Sequence, residues 1–400
     1  MVFVKTSTLR GTICVPPSKS HSVRAVILAS IAFGKSCIKN VLMSKDMELL
    51  IKCCCQFGAQ IEKTKEGLEI IGANAFDLKH SVFDVGNSGL AFRLLTALLF
   101  HEKAIIMGDL SLKKRPIKPL LRALEQLHKN TIEIDGSDSQ YVSALIFAIL
   151  KLKTPKTISI KNRKEKPFVQ MTLSWLKFLQ IPYEDTDKKI TIYPKGSIEA
   201  FDYTVPTDFS SASYPIAAAL LTGSIQIEHL DFSDSQGDKQ LIDCFQKMGG
   251  DIEIKGQSVV AKKSELEGIE IDCDPFIDAL PQLAVLGCFA KGKTRLYNAK
   301  SARFKECDRI ACVAKELKKL GANIEEKEDG FIVYESAMQS GVCHSYLDHR
   351  LALSFIVLGL RVGDIEIKDI DCMKKTYPQF IERLEKCGAC FEKKLDFVGI

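Results

Sequence analysis

The sequence predicts an α/β protein of two domains, each assembled from three repeats. Three observations carry that expectation. A pattern of amphipathic helix, turn, strand, turn and strand returns six times along the chain. A second helix with a more continuous apolar face lies in most copies. The 400 residues are also enough for two full cores.

The six copies are LLIKCCCQFGAQIEKTKEGLEII, LLRALEQLHKNTIEI, LSWLKFLQIPYEDTDKKITIY, LIDCFQKMGGDIEIKGQSVVA, VAKELKKLGANIEEKEDGFIVY and FIERLEKCGACFEKK. Apolar residues at i, i+3, i+4 and i+7 precede each turn, and strict alternation follows it. The turns fall near Gly58, His128, Ile181, Gly249, Gly321 and Gly388, at spacings of 70, 53, 68, 72 and 67 residues. Units of that size are too long for a simple solenoid and suit two three-unit domains. The short second spacing means that unit two is missing a strand and a turn. The accompanying helices SVRAVILASIAFG, GLAFRLLTALLF, QYVSALIFAIL, SSASYPIAAALLTG and HRLALSFIVLGL read as buried. No Pro/Gly/Ser-rich linker separates the halves, so the repeat count places the boundary between the third and fourth units, near Gly223 to Leu230.

Composition narrows the classes of partner. Apolar and charged fractions of 46 % and 26 % are ordinary for a globular protein. A net charge of +5 is too mild for a nucleic-acid footprint, while an anionic small molecule would be welcome. The opening MVFVKTSTLRGTICVPP lacks the apolar core of a signal peptide, and no stretch is long enough to span a membrane. The 14 cysteines are mostly scattered singly through apolar runs, the pattern of reduced cytoplasmic thiols. Cys53, Cys54 and Cys55 point in different directions on a helix and cannot share a metal. The lone pair Cys387 and Cys390 reads as packing near a C-terminal helix.

Polar residues gather at the starts of the buried helices. Val15-Pro16-Pro17 is an extended approach, Ser18 a natural N-cap, and Lys19, Ser20 and Arg24 follow in the first two turns. Cations there oppose the helix dipole, which makes sense if an anion docks between them. Gly86-Asn87-Ser88-Gly89 precedes another such helix, with Arg93 one turn in. Ser111 to Pro116 places Lys113, Lys114 and Arg115 before the next. Asp138-Ser139-Gln140 and Asp208-Phe209-Ser210-Ser211 cap two more, a role that could explain them entirely. In the second half, Asp278 interrupts an apolar run, where a lone carboxylate tends to have a raised pKa. Arg303 to Arg309, Asp348-His349-Arg350 and Asp371 to Pro378 add charges at further helix starts. Two acids among many cations is the layout expected around a doubly anionic substrate pair.

Nine motifs occur in order from Pro16 to Pro378: Pro16-Pro17-Ser18-Lys19-Ser20 with Arg24, Gly86-Asn87-Ser88-Gly89 with Arg93, Arg115-Pro116-Ile117, Asp138-Ser139-Gln140, Asp208 with Ser210-Ser211-Ala212, Asp278 with Pro281, Arg303 with Lys305-Glu306 and Asp308-Arg309, Asp348-His349-Arg350, and Cys372 with Lys375-Thr376-Tyr377-Pro378. Through them the sequence closely resembles the 5-enolpyruvylshikimate-3-phosphate synthase family of enolpyruvyl transferases, over nearly the whole chain. The resemblance implies a two-domain inside-out α/β barrel, each domain three βαβαββ units around a pseudo-threefold axis, with helix N-termini facing the cleft. The lower domain would hold residues 1–14 and 225–400, and the upper domain 15–224. The first strand, about residues 3–14, would join the lower one.

The activity so implied transfers the enolpyruvyl group of phosphoenolpyruvate to the 5-hydroxyl of shikimate 3-phosphate, in the cytoplasm, on a monomer, without metal, organic cofactor, nucleic acid or membrane. By the same resemblance Lys19, Ser20, Arg24, Asp138, Ser139, Gln140, Glu165, Asp278, Ser301 and Lys305 lie at the shikimate 3-phosphate site. Lys19, Gly89, Arg115, Gln140, Arg309, Arg350 and Lys375 lie at the phosphoenolpyruvate site. Asp278 would take the 5-hydroxyl proton and Glu306 would protonate the methylene carbon, with Lys19 as a third catalytic group. A neutral acid and an ionised base at one pH need two carboxylates in unlike surroundings.

Four positions depart from the family pattern. Leu90 replaces the usual Thr, which suggests altered sensitivity to the inhibitor glyphosate. Ser301 stands for the usual Asn. Asp138 and Glu165 stand where Ser commonly contacts the 3-phosphate, and carboxylates there repel it. Local pairing with Arg163, Lys164 and Lys166 is expected to turn them away or let a cation bridge. Two alternatives remain: a UDP-N-acetylglucosamine enolpyruvyl transferase, and a non-catalytic homologue binding anions or RNA ends. The first typically has Lys-Asn in place of Lys19-Ser20 and a loop cysteine, which is absent from Lys113 to Pro116. The intact Lys19, Asp278, Glu306, Arg350 and Lys375 argue against the second.

Overall fold

The strands that the alternating pattern predicts pair into sheets of one repeated plan. The computed structural model describes residues 1–73, 76, 78 and 82–392. The chain divides into two compact units: unit 1 is Met1–Pro16, Thr207–Ser233 and Asp238–Ile400, and unit 2 is Pro17–Pro206 and Asp234–Gly237.

Unit 1 holds three four-stranded sheets. In the first, Arg10–Ile13 runs parallel to Ser224–Ile227, which pairs antiparallel with Ser258–Lys262, and that with Asp251–Lys255. The second repeats this with Glu270–Asp272, Lys293–Tyr297, Gly330–Tyr334 and Ile324–Lys327. The third uses Gly341–His344, Ile365–Lys368, Val2–Val4 and Phe391–Glu392. There the N-terminal strand fills the place that later chain fills in the other two, so the start of the protein completes the third repeat. The segment expected as one strand over 3–14 is therefore two strands, in different sheets.

Unit 2 follows the same plan with one sheet reduced. Asp202–Thr204, Lys35–Lys39, Gly67–Ile71 and Gln60–Lys63 form one four-stranded sheet. Thr131–Asp135, Lys156–Lys161, Lys189–Ile192 and Tyr183–Asp185 form another. The reduced sheet is the parallel pair Val82–Asp84 and Ile105–Met107. The antiparallel half of that repeat is missing among the described residues. A further short parallel pair joins Ala32–Phe33 to Ile198–Glu199.

In each of the six repeated sheets the edge strand of the parallel pair is followed in the chain by a helix whose apolar residues leave almost no polar face. In unit 2 these are α1 (Lys19–Ser30), α2 (Gly89–Leu98) and α3 (Ser139–Leu150), followed by the amphipathic α4 (Lys166–Phe178). In unit 1 they are α5 (Phe209–Thr222), α6 (Leu280–Gly287) and, after the amphipathic α7 (Arg309–Lys319), α8 (His349–Val362). Helices α5, α6 and α8 pack on one another, as do α2 and α3. All fourteen residues of α5 are buried. Its packing against α6 and α8 puts the second crossing at Pro206–Thr207, ahead of the boundary at 224 expected from repeat counting. Close approach fixes one residue type here. A Cβ on Gly359 of α8 would lie 2.6 Å from Cβ of Val4, so glycine lets the helix sit against the N-terminal strand.

The last strand ends the described chain at Glu392, so the final two residues of the sixth copy, and 393–400 of the lower domain expected from sequence, lie outside it. Cys53 and Cys54 are buried on the helix Lys45–Gln56 and Cys55 is exposed, as helical spacing requires.

Candidate active site

Side-chain oxygens at the buried-helix starts cap the backbone, and the residues beside them form two polar clusters, one in each unit. In unit 2, Ser18 caps α1, Ser88 caps α2 and Asp138 caps α3. Lys19 does not stand free against the helix dipole: its Nζ lies 2.8 Å from Oδ2 of Asp46, in the first turn of the helix Lys45–Gln56. Arg24 is buried, and its guanidinium donates to the Thr172 and Ser143 hydroxyls and the Ser20 and Phe168 carbonyls. All four acceptors are neutral, and burial pulls the Arg24 pKa down to about 10. Arg24 thus braces α1 against α3 and α4 and fixes the carbonyl of Ser20.

Gly89 and Gln140 converge on Arg93, a residue to which the sequence reading gave no role. Arg93 Nη1 donates to Gln140 Oε1 at 2.9 Å and to the Gly89 carbonyl at 3.3 Å. Its Nη2 donates to the Pro116 carbonyl and lies 3.3 Å from Asp138 Oδ2. Arg115 donates to Asn87 Oδ1 and Ser111 Oγ. A Cβ at Gly89 would sit 2.9 Å from Nη1 of Arg93 and 3.0 Å from Nη1 of Arg115, so only glycine leaves both guanidinium groups in place. Leu90, the next residue of α2, is partly buried against the unit 2 core.

Two of the cations flanking Glu165 pair with other acids. Arg163 pairs with Asp185 at 2.8 Å and Lys166 with Asp187 at 3.0 Å. Asp138 accepts from the Gln140 N–H at 2.9 Å and reaches Arg93. Glu165 turns inward: Oε2 accepts from Oγ of Ser139 at 2.7 Å and from its N–H at 3.3 Å.

Unit 1 carries the acids. Asp278 lies on the short helix Asp274–Ala279, whose neighbour Lys300–Phe304 carries Ser301 and leads into Lys305. Asp278 Oδ1 is 2.6 Å from Nη1 of Arg309, and Oδ2 is 3.0 Å from Nη2 of Arg350. Arg309 Nη2 is 2.8 Å from Glu306 Oε2, and its Nε is 2.8 Å from Asp348 Oδ2. His349 Nδ1 lies 3.9 Å from Glu306 Oε1. Lys375 closes the helix Ile370–Lys375, which packs on α8. Burial pushes the Asp278 pKa upward, but Arg350, then Arg309 and Lys305, outweigh it and hold the carboxyl well below its usual range. The raised pKa expected from its apolar surroundings is thereby reversed, and Asp278 is an ionised carboxylate. The arginines come from helix starts far away in sequence, so no local pattern shows them.

A second acid in this cluster behaves oppositely. Burial, then the nearby charge of Asp208, lifts Asp238 to about 7, with Arg350 opposing. Of the five carboxylates around the two arginines, Asp278, Glu306 and Asp348 contact a guanidinium directly, while burial pushes both Asp208 and Asp238 upward. An acid whose pKa rises on folding stabilises the native state while protonated, so this contribution is lost as pH climbs from about 4 to 7. Asp238→Asn is expected to flatten that decline. The check is the urea midpoint at pH 5 and pH 8, which should fall in the wild type and stay level in the variant.

Comparison with known proteins adds three findings. A family model described as EPSP synthase (3-phosphoshikimate 1-carboxyvinyltransferase) matches residues 4–138 and 126–384. The chain belongs to the EPSP synthase family. Curated relatives named 3-phosphoshikimate 1-carboxyvinyltransferase include one from Chlamydia felis, 41 % identical over 99 % of this chain and 96 % of the relative. Another, from Chlamydia pneumoniae, is 37 % identical over 98 % and 94 %. EPSP synthase from Acinetobacter baumannii shares the fold with a TM-score of 0.78 and 25 % identity, over 98 % of this chain and 99 % of that one. The enolpyruvyl transferase NikO from Streptomyces tendae shares the fold at a TM-score of 0.76 and 17 % identity, over 98 % of each.

Within this EPSP synthase family member, sequence reasoning missed Asp46, Arg93 and Asp348 as partners. Arg93 was visible as a charge in an apolar helix, and Asp348 had been credited with capping alone. Asp46 gave no signal beyond a helix start. Among the described residues no group of three or more His, Cys, Asp or Glu is placed to hold a metal ion, and no helix is long and apolar enough to cross a membrane.

Proposed function

We propose that this EPSP synthase family member transfers the enolpyruvyl group from phosphoenolpyruvate to the 5-hydroxyl of shikimate 3-phosphate, with Asp278 as base and Glu306 as acid. The observation that carries this reading is the ionised Asp278 beside Glu306 on a shared arginine, Arg309. Asp278 takes the 5-hydroxyl proton as that oxygen adds to C2 of phosphoenolpyruvate, while C3 receives a proton from Glu306. Loss of phosphate from C2 and of a proton from C3 then restores the double bond. Arg309 and Arg350 bind the phosphoenolpyruvate carboxylate, exchanging internal carboxylates for an external one, and Lys375 joins them. That exchange leaves Glu306 free of Arg309 when it must act as a proton donor. Charge developing on the intermediate is met by cations already oriented.

Unit 2 supplies the groups for phosphates and ring. Lys19, Ser20, Ser139 and Gln140 face the acceptor, Arg24 fixes Ser20, and Gly89, Arg115 and Gln140 meet phosphoenolpyruvate. Lys19 also acts on the phosphate that leaves. Ser301 and Lys305 complete the acceptor's contacts. The mild charge and the 14 free cysteines support a cytoplasmic enzyme acting on small anions, which we take to work as a monomer. Sedimentation tests the last point.

Phosphate release from phosphoenolpyruvate decides the acceptor. Release with shikimate 3-phosphate and none with UDP-N-acetylglucosamine is expected, and the reverse would refute the assignment. Leu90 narrows the wall beside Gly89, so Leu90→Thr is expected to change the inhibition constant of glyphosate. An unchanged constant would remove Leu90 from that wall.

A further inference from the structure

The start of α3 already holds two carboxylates. Asp138 takes the Gln140 N–H, the ordinary capping bond, and Glu165 takes both donors of Ser139. A backbone N–H and a hydroxyl at the positive end of a twelve-residue helix make a seat for an anion. Here the chain fills it with its own side chain.

Glu165 reaches that position at a cost to its own element. It is the N-cap residue of α4, yet its side chain caps nothing there. Its backbone is left-handed, with φ of 50°, unusual for a residue with a long side chain. The side chain is 2 % exposed. Arg24 contacts Ser143, one turn further along α3, and Phe168, three residues after Glu165, so a buried guanidinium with only neutral acceptors borders the same junction. A strained backbone that drives a carboxylate onto another helix's donors is a specific arrangement.

We propose that Glu165 is a specificity-determining residue: its carboxylate occupies the seat of the acceptor's phosphate, so that a phosphorylated acceptor binds only by displacing it. This rests on the reading above in which Ser139 faces that phosphate. Displacement moves one anion off the Ser139 donors as another arrives, and it sets two like charges near each other. The phosphorylated acceptor therefore loses part of its advantage over the same ring with a free 3-hydroxyl, which leaves Glu165 where it is. Discrimination between the two acceptors is compressed in this chain.

Calorimetric titration of the full-length protein with shikimate 3-phosphate, shikimate and inorganic phosphate tests this, for wild type, Glu165→Gln and Glu165→Ser. Gln keeps the length and one acceptor atom while removing the charge. Both variants are expected to bind shikimate 3-phosphate and inorganic phosphate about tenfold more tightly, with less than a twofold change for shikimate. If Glu165→Ser does not fold, Glu165→Gln decides alone. Unchanged or weaker phosphate binding in a folded variant overturns the proposal, as does an equal gain for shikimate. Inorganic phosphate separates this from the assigned reaction: a wild type that releases no phosphate with shikimate 3-phosphate defeats the function, while the phosphate titration still reports whether Glu165 holds the seat.

Discussion

Glu306→Gln is expected to lower kcat at least a hundredfold while leaving both substrates bound. Gln keeps the length of the side chain and an oxygen for the Nη2 of Arg309, which lies 2.8 Å from Glu306 Oε2. It cannot deliver a proton to C3 of phosphoenolpyruvate, and positioned proton transfer contributes about a hundredfold to ten-thousandfold. The KM values should move by less than about threefold, because lost transition-state chemistry appears in kcat. Steady-state phosphate release checks this. A variant within a factor of a few of wild type would move the acid elsewhere, with His349, 3.9 Å away, the next group to examine.

Asp278→Asn is expected to combine a loss of similar size in kcat with a loss of stability. The amide removes the base and also the carboxylate between Arg309 and Arg350. The side chains of Arg309 and Arg350 are 1 % and 7 % exposed, and that of Asp278 25 %. Removing one partner of a buried pair leaves uncompensated charge, worth about 3–5 kcal/mol when all is buried. The partial exposure of Asp278 reduces that to roughly 2–3 kcal/mol. A fall in Tm of several degrees should follow. Because the wild-type carboxyl is held below its usual range, this stabilisation is present above about pH 4 and is lost as acid protonates it. Thermal melts taken stepwise down from pH 7 should thus separate the two proteins most at pH 7 and narrow the gap progressively below about pH 4. A variant as stable as wild type at pH 7 would show that Arg309 and Arg350 find other counter-ions, Asp348 and Asp208 among them.

The repeat was legible because its helices bury one face and its strands alternate, and both periods survive in sequence. The truncated second repeat showed as a short spacing for the same reason. The crossing at Pro206–Thr207 was not legible, since α5 looks alike whichever unit buries it. At the site, cap residues such as Ser18, Asp138 and Asp348 stood out through position alone. Their partners did not, because Arg309 meets Asp278 across 31 residues and Arg350 meets it across 72. The direction of the Asp278 shift followed from those pairings and was misjudged without them. Glu165 was marked as out of place, but only the coordinates show it bound to Ser139.

The addition and elimination assigned to Asp278 and Glu306 are tested most directly by isotope transfer. With phosphoenolpyruvate and shikimate 3-phosphate in D2O, protonation at C3 makes a freely rotating methyl group, and its later loss of one hydrogen leaves solvent deuterium in the product. Mass spectrometry of the enolpyruvyl product should find deuterium on its methylene carbon with wild type, and almost none formed by Glu306→Gln. A wild-type product free of deuterium would contradict protonation of that carbon, and with it the role of Glu306.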